Sequence, residues 1–322
     1  WWKIIMRKAL IVGIDHYAHA PKLQGCVNDA YSVKSVLERH GDGTVNFGTN
    51  LIIGTGPNQV VTKRKLKDSI EELFSDDCEI ALFYFSGHGY IESTGGYLIS
   101  SECQDGDDGV SMNDLLQFAN DSKARSKVII LDCCHSGIAG NAPIVGQHAL
   151  LSEGVSILTA SSEDQYAMEQ DGSGVFTSLL VDALQGSAAN LVGDITPGSI
   201  YAHIDQSLGP WEQRPIFKTN VKAFVSLREV QPPIELDDLK RLTELFEERS
   251  SQFKLDPSFE PEESAAIEEN TERFAVLQKL NRVNLVVPVD AEHMYFAAIN
   301  SKSCKLTILG EHYWKLVKNE RI

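Results

Sequence analysis

An α/β fold, with a parallel sheet covered by helices on both faces, is predicted for the first two thirds of this 322-residue chain. Three observations predict it. Short, nearly continuous apolar runs alternate with amphipathic stretches, the pattern of strands buried on both faces and joined through helices. Two of those runs end abruptly in glycine-flanked histidine and cysteine. The alternation then gives way, near residue 228, to a stretch of different composition.

In chain order, Lys8–Ile14 (KALIVGI) is the first strand, and Val27–His40 the first helix. Asn50–Ile53 follows as a strand and Lys63–Phe74 as a helix. Glu79–Phe85 (EIALFYF) is the third strand and Ser111–Ala119 the next helix. Lys127–Leu131 (KVIIL) and Ser156–Thr159 are strands, and Phe176–Leu184 and Pro197–Leu208 are helices. A last strand around Lys222–Leu227 closes this domain, taken as residues 1–228. Residues 229–270 read as an acidic linker: Gln231–Pro233 and Pro257–Glu269 flank one amphipathic helix, Leu236–Gln252. From Glu272 the order is helix, strand (Asn284–Val289), strand (His293–Ile299) and helix (Leu306–Val317). That is a small α+β, winged-helix-like domain over residues 271–322.

The charge balance excludes some functions. With 29 Lys and Arg against 45 Asp and Glu, the net charge of −16 speaks against nucleic-acid binding, which needs clustered cations. The candidate recognition helix carries Glu311 and His312 beside Lys315 and Lys318, a poor footprint for DNA. An acidic surface suits basic or unfolded polypeptides. No apolar run approaches the ~20 residues of a membrane span. Trp1–Met6 is too short and irregular for a signal peptide, and Met6 is the expected natural start. The six cysteines lack framework spacing or a metal-binding pattern, so they read as free thiols in a reducing cytoplasm.

Reactive groups in such sheets sit just past the carboxyl ends of strands. ALFYF runs into Ser86-Gly87-His88-Gly89, and KVIIL into Asp132-Cys133-Cys134-His135-Ser136-Gly137. Singly, each has a bland explanation: a buried cysteine is a small hydrophobe, and a strand-end histidine a satisfied polar residue. Together they describe a thiol–imidazole dyad. The thiolate is the nucleophile, and the imidazole first takes its proton and then returns it to the leaving amine. The backbone N–H groups of Gly89 and Cys134 are the expected oxyanion hole, each donor worth about 3–4 kcal/mol.

FYFSGHG followed by VIILDCCHSG resembles the His and Cys motifs of caspase-like peptidases, most closely metacaspases and their prokaryotic relatives (orthocaspases). Leu23–Ala30 (LQGCVNDA), Ile157–Ser162 and Gly174–Thr177 are similar to further stretches of that family. The resemblance covers about Lys8–Leu227 and implies a caspase-like sheet and endopeptidase activity. It makes Cys134, which immediately precedes His-Ser-Gly, the nucleophile and His88 its base. Strand alternation turns Cys133 and His135 the other way. The family's acidic first-subsite pocket falls on Asp29, Ser86 and Asp132, implying cleavage after Arg or Lys by charge-assisted, bidentate contacts. The competing reading has Asp29 capping a helix and Asp132 holding a loop.

The resemblance requires no cofactor. Many relatives need calcium, but Asp105, Asp107 and Asp108 (QDGDDG) lack EF-hand spacing, leaving a solvated acidic turn as the better reading. No Lys or Arg occurs from Val128 to Gln213, so an enzyme selecting basic residues is expected not to cut itself there; Lys240-Arg241 is a candidate elsewhere. By analogy with bacterial relatives, the C-terminal domain is expected to recruit an activator or adaptor protein, making the chain a regulated effector in signalling or defence. The expected substrate is a protein or peptide with a basic residue before the cut; neither nucleic acid nor membrane is expected as a partner. Two rivals stand beside this reading: a catalytically silent homologue acting as a scaffold, and another sheet-based thiol enzyme such as a glutamine amidohydrolase, whose nucleophile usually precedes its histidine.

Overall fold

The computed structural model describes residues 6–92, 95–105, 108–133, 151–160, 169–170, 173–209 and 214–322. They divide into two compact units, one reaching Val230 and the other made of Asn190–Gly193 with Gln231–Ile322.

In the first unit the apolar runs become β1 (Arg7–Ile14), β2 (Gly48–Gly54), β3 (Ile80–Ser86), β7 (Ser126–Asp132) and β8 (Val155–Thr159). Three short strands lie between β3 and β7: β4 (Gly89–Glu92), β5 (Gly95–Leu98) and β6 (Val110–Ser111), paired into their own sheet. After β8 come the two-residue strands β9 (Glu169–Gln170), β10 (Ser173–Gly174) and β11 (Asp194–Ile195), then β12 (Ile216–Asn220) and β13 (Arg228–Glu229). The main sheet has the order β12-β8-β7-β3-β1-β2. Its last five strands run parallel, and β12 pairs antiparallel with β8.

The closing strand is therefore Ile216–Asn220 rather than Lys222–Leu227, and it makes the sheet mixed. An edge strand buries only part of its surface, so IFKTN carries a weaker apolar signal than the AFVSL run behind it. Arg228–Glu229 instead pairs with Asp194–Ile195.

Side-chain alternation divides the core in two. Phe83, Phe85, Ile129, Leu131 and Cys133 face one side, against α2 (Lys63–Ser75) and α3 (Met112–Asp121). Ile80, Leu82, Tyr84, Val128 and Ile130 face the other, against α1 (Cys26–Leu37), α4 (Val175–Asp182) and α5 (Pro197–Ser207). The helices start where the sequence supplies caps. Thr62 and Ser111 accept backbone N–H groups of α2 and α3, and Thr196 and Ser199 form a reciprocal capping box before α5. The start of α1 is held by Asp15, whose Oδ1 accepts the Cys26 N–H at 2.9 Å and the Val27 N–H at 3.3 Å.

The second unit contains α6 (Leu236–Lys240), α7 (Leu242–Leu245), β14 (Gln252–Lys254), α8 (Glu268–Arg282), β15 (Val286–Val289), α9 (Met294–Ile299), β16 (Ser303–Leu306) and α10 (Ile308–Lys318). Its three strands form an antiparallel sheet of order β14-β16-β15. Two expectations are corrected. Residues 229–270 are not a linker: Leu239, Leu242, Phe246, Leu255 and Phe259 are buried in this unit's core, and Gln252–Lys254 is a strand of its sheet. The helix expected to reach Gln252 stops at Leu245, where Phe246 turns extended. His293–Ile299 contributes a helix, because Met294, Ala297 and Ala298 recur at helical spacing and bury one face. The strand lies later, at Ser303–Leu306.

Among the described residues, no helix is long and apolar enough to cross a membrane.

Candidate active site

The ends of β3 and β7 lie side by side. Ser86 pairs with Asp132 in register, and the Gly87 N–H donates to the Asp132 carbonyl at 3.3 Å, carrying the ladder one residue further. Both motifs thus leave the sheet at one level. His88 emerges from β3 and Cys133 from β7. Cys133 is 1% exposed and shares its face with Ile129 and Leu131. Cys134 and His135 lie outside the described residues.

His88 is held from three directions. Its backbone N–H donates to the Tyr17 hydroxyl at 2.8 Å, and its ring packs on the Tyr17 ring with centroids 4.6 Å apart. Its Nε2 lies 2.8 Å from the carbonyl oxygen of Pro21. A carbonyl only accepts, so Nε2 carries a proton, and in the neutral imidazole Nδ1 keeps the lone pair. That tautomer makes Nδ1 the nitrogen able to act as a base. A cavity of about 220 Å³ opens beside the imidazole, lined among others by His19, Pro21, Gly89 and Tyr90.

Gly89 faces Leu98 across the β4–β5 ladder, and the bond beside this pair runs from the Ile99 N–H to the His88 carbonyl. Gly89 therefore occupies a position where its own N–H points away from β5. Sequence reasoning missed this hairpin, which fixes the peptide next to the histidine.

Asp29, Ser86 and Asp132 come together on the α1 face of the sheet, all buried (2%, 1% and 5% exposed). The Ser86 hydroxyl donates to Asp29 Oδ2 at 3.4 Å. The Gly174 N–H donates to both Asp29 oxygens, at 3.3 and 3.1 Å. Thr177 Oγ1 donates to Asp132 Oδ2 at 2.6 Å. A Cβ placed on Gly174 would lie 2.5 Å from Asp132 Oδ2 and 3.2 Å from Asp29 Oδ2, so the two carboxylates meet at this glycine. Asp29 lies within α1 rather than at its cap, since Asp15 holds the first N–H groups of that helix.

Cys26 belongs to the same cluster. Burial first, then the charges of Asp132, Asp15 and Asp29, push its thiol far up, while a hydrogen bond with Ser86 acts the other way. The LQGCVNDA stretch carried that cysteine in plain sight, but nothing in its spacing set it apart from a core thiol. Tyr84 and Thr177 were likewise missed, hidden inside an apolar strand and a helix.

In the described part of the acidic loop, Asp108 Oδ2 accepts the backbone N–H groups of Gln104 at 3.3 Å and Asp105 at 3.4 Å. Asp107 lies outside the described residues. Among the described residues no group of three or more His, Cys, Asp or Glu could hold a metal ion.

Comparison with known proteins bears on the family and the fold. The family model described as caspase domain (peptidase C14) matches residues 6–225. The Metacaspase-1 of Plasmodium berghei is 33% identical over 89 residues, 26% of this chain and 15% of that protein. The Metacaspase-1 of Sclerotinia sclerotiorum is 27% identical over 212 residues, 58% of this chain and 45% of that protein. The chain therefore spans less than half the length of these relatives. Among solved structures, Caspase-1 from Spodoptera frugiperda superposes with a TM-score of 0.52 at 13% identity, over 70% of this chain and 92% of that one, a likeness of fold. A sheet carrying histidine and cysteine motifs on adjacent strand ends, matched to the family model over well over half its length, places this chain in the caspase-domain family of peptidases.

Proposed function

We propose that the chain is a cysteine endopeptidase that cleaves protein substrates after Arg or Lys, with Cys134 as nucleophile and His88 as base. The observation that carries this reading is the pairing of two strand ends: an imidazole with a free Nδ1 leaves β3 at the level where β7 delivers the cysteine motif. In the proposed step, Nδ1 takes the Cys134 thiol proton and the thiolate adds to the substrate carbonyl. The N–H groups of Gly89 and Cys134 hold the resulting oxyanion. Protonated His88 gives its proton to the leaving amine, leaving a thioester. Water, deprotonated by His88, then releases the acid and restores the thiol.

The basic preference is supported by the paired carboxylates. Asp29 and Asp132 are buried, hydrogen-bonded and close together, the setting in which a guanidinium gains bidentate, charge-assisted bonds that an apolar side chain cannot. The experiment is turnover of fluorogenic peptides ending in Arg, Lys, Asp or Leu, with and without calcium. Preference for Arg and Lys supports the pocket; turnover of the Asp peptide alone keeps the dyad and removes the pocket.

A further inference from the structure

We propose that Tyr84 and Thr177 form a directional hydrogen-bond relay that holds Asp132 as an oriented anion and thereby sets how tightly the site grips a basic side chain. This rests on the reading of Asp29, Ser86 and Asp132 as the first-subsite pocket.

The direction of the relay follows from counting protons. Thr177 Oγ1 lies 2.6 Å from Asp132 Oδ2 and 2.6 Å from the Tyr84 hydroxyl. A threonine hydroxyl has one proton and a carboxylate only accepts, so that proton goes to Asp132. The Tyr84 hydroxyl must then donate to Thr177. Tyr84 is fully buried, and Thr177 is 1% exposed. In so dry a place each bond polarises the next, and the chain ends on the charged oxygen. Burial, reinforced by the charges of Asp132 and Asp29, pushes the Tyr84 phenol well up, so it stays a donor.

The relay also answers a difficulty in the pocket. Two neighbouring carboxylates resist joint ionisation, yet a guanidinium is best held by two anions. Among the described residues, the titratable groups facing Asp132 are Asp29 and Cys26 from α1 and Tyr84 from β3, with Asp15 beyond Cys26. Each carboxylate has dedicated donors. Asp29 takes the Gly174 N–H and the Ser86 hydroxyl; Asp132 takes Thr177. Tyr84 and Thr177 act through Asp132, as positioning residues. They stand on two elements, β3 and α4, so the pocket is braced from both the sheet and the helix layer.

The test uses the full chain and three variants. Thr177→Val keeps the side-chain shape and removes the donor; Thr177→Ser restores the donor; Tyr84→Phe removes only the start of the relay. In Thr177→Val, KM for an Arg peptide is expected to rise about tenfold, with kcat little changed. Losing the donor raises the carboxylate pKa, so the acid limb of kcat/KM moves to higher pH. Thr177→Ser should return both toward wild type, and Tyr84→Phe should shift both the same way by less. A folded Thr177→Val with wild-type KM and acid limb overturns the relay; if it does not fold, a wild-type KM and acid limb in Tyr84→Phe overturns it equally. Wild type without any Arg or Lys preference removes the pocket reading beneath, whereas preference retained in wild type and untouched by the variants removes the relay alone. If no peptide is turned over, calorimetric binding of an Arg-terminated peptide amide to the Cys134→Ala chain gives the same comparison: weakened binding in Thr177→Val supports the relay, and equal binding overturns it.

Discussion

Tyr17→Phe is the smallest change that tests how the proposed base is held. It deletes one oxygen, the acceptor of the His88 N–H at 2.8 Å, and leaves the ring packed against the imidazole. Tyr17 is 4% exposed, and a Cβ on Gly87 would lie 2.5 Å from its hydroxyl, so the oxygen is tucked against the turn that presents His88. With it gone, the His88 N–H loses its partner in a partly buried turn, at a cost of up to about 1–3 kcal/mol. For a unit of this size that corresponds to a fall in Tm of about 2–10 °C. The turn also loses what fixes its position, and small misplacements of a reacting group cost about ten- to a hundredfold in rate. Scanning calorimetry with steady-state kinetics on an Arg peptide separates the two effects. The expected result is a folded variant with lower Tm, kcat reduced at least about tenfold, and KM nearly unchanged. A variant with wild-type kcat would refute the positioning role of Tyr17, whatever its Tm.

Asp132→Asn leaves the site's shape but removes one of the two buried charges proposed to hold a basic side chain; breaking that guanidinium–carboxylate pair costs about 3–5 kcal/mol, so kcat/KM for Arg peptides should fall at least about a hundredfold, while an unchanged value would move specificity elsewhere. In the second unit, Phe246 is fully buried, and its carbonyl accepts the Trp314 indole N–H at 2.8 Å. Phe246→Ala is expected to cost about 3–5 kcal/mol and to open that unit to limited proteolysis, with a fragment ending near Val230 surviving; uniform digestion of both units would contradict their separate cores. Because no Lys or Arg occurs from Val128 to Gln213, intact-mass analysis of incubated enzyme should find no self-cut in that stretch, and a product cut there would overturn the basic preference.

The parallel core was legible because its strands are buried on both faces and so read as unbroken apolar runs. The sheet strands and helices that carry the site residues, β3, β7, α1 and α4, sit within a few residues of where periodicity put them. What stayed hidden had mixed or short signals. The edge strand Ile216–Asn220 shows only part of its surface to the core, and the β4–β5–β6 sheet is built from strands of two to four residues. In the second unit, an acidic stretch looked like linker, although its scattered Leu and Phe fill a core. At the site, the charged and reactive residue types stood out in sequence. Their supports did not: Tyr17, Tyr84 and Thr177 are ordinary residues until folding aims their hydroxyls at His88, at Thr177 and at Asp132 in turn. The Pro21 carbonyl, a backbone group, leaves no residue-type signal at all.

The most direct test of the central claim is turnover of Arg- and Lys-ended fluorogenic peptides by wild type and Cys134→Ala, with and without calcium. Wild type is expected to cleave after both basic residues and the variant after neither. Cleavage that survives Cys134→Ala would contradict the nucleophile assignment.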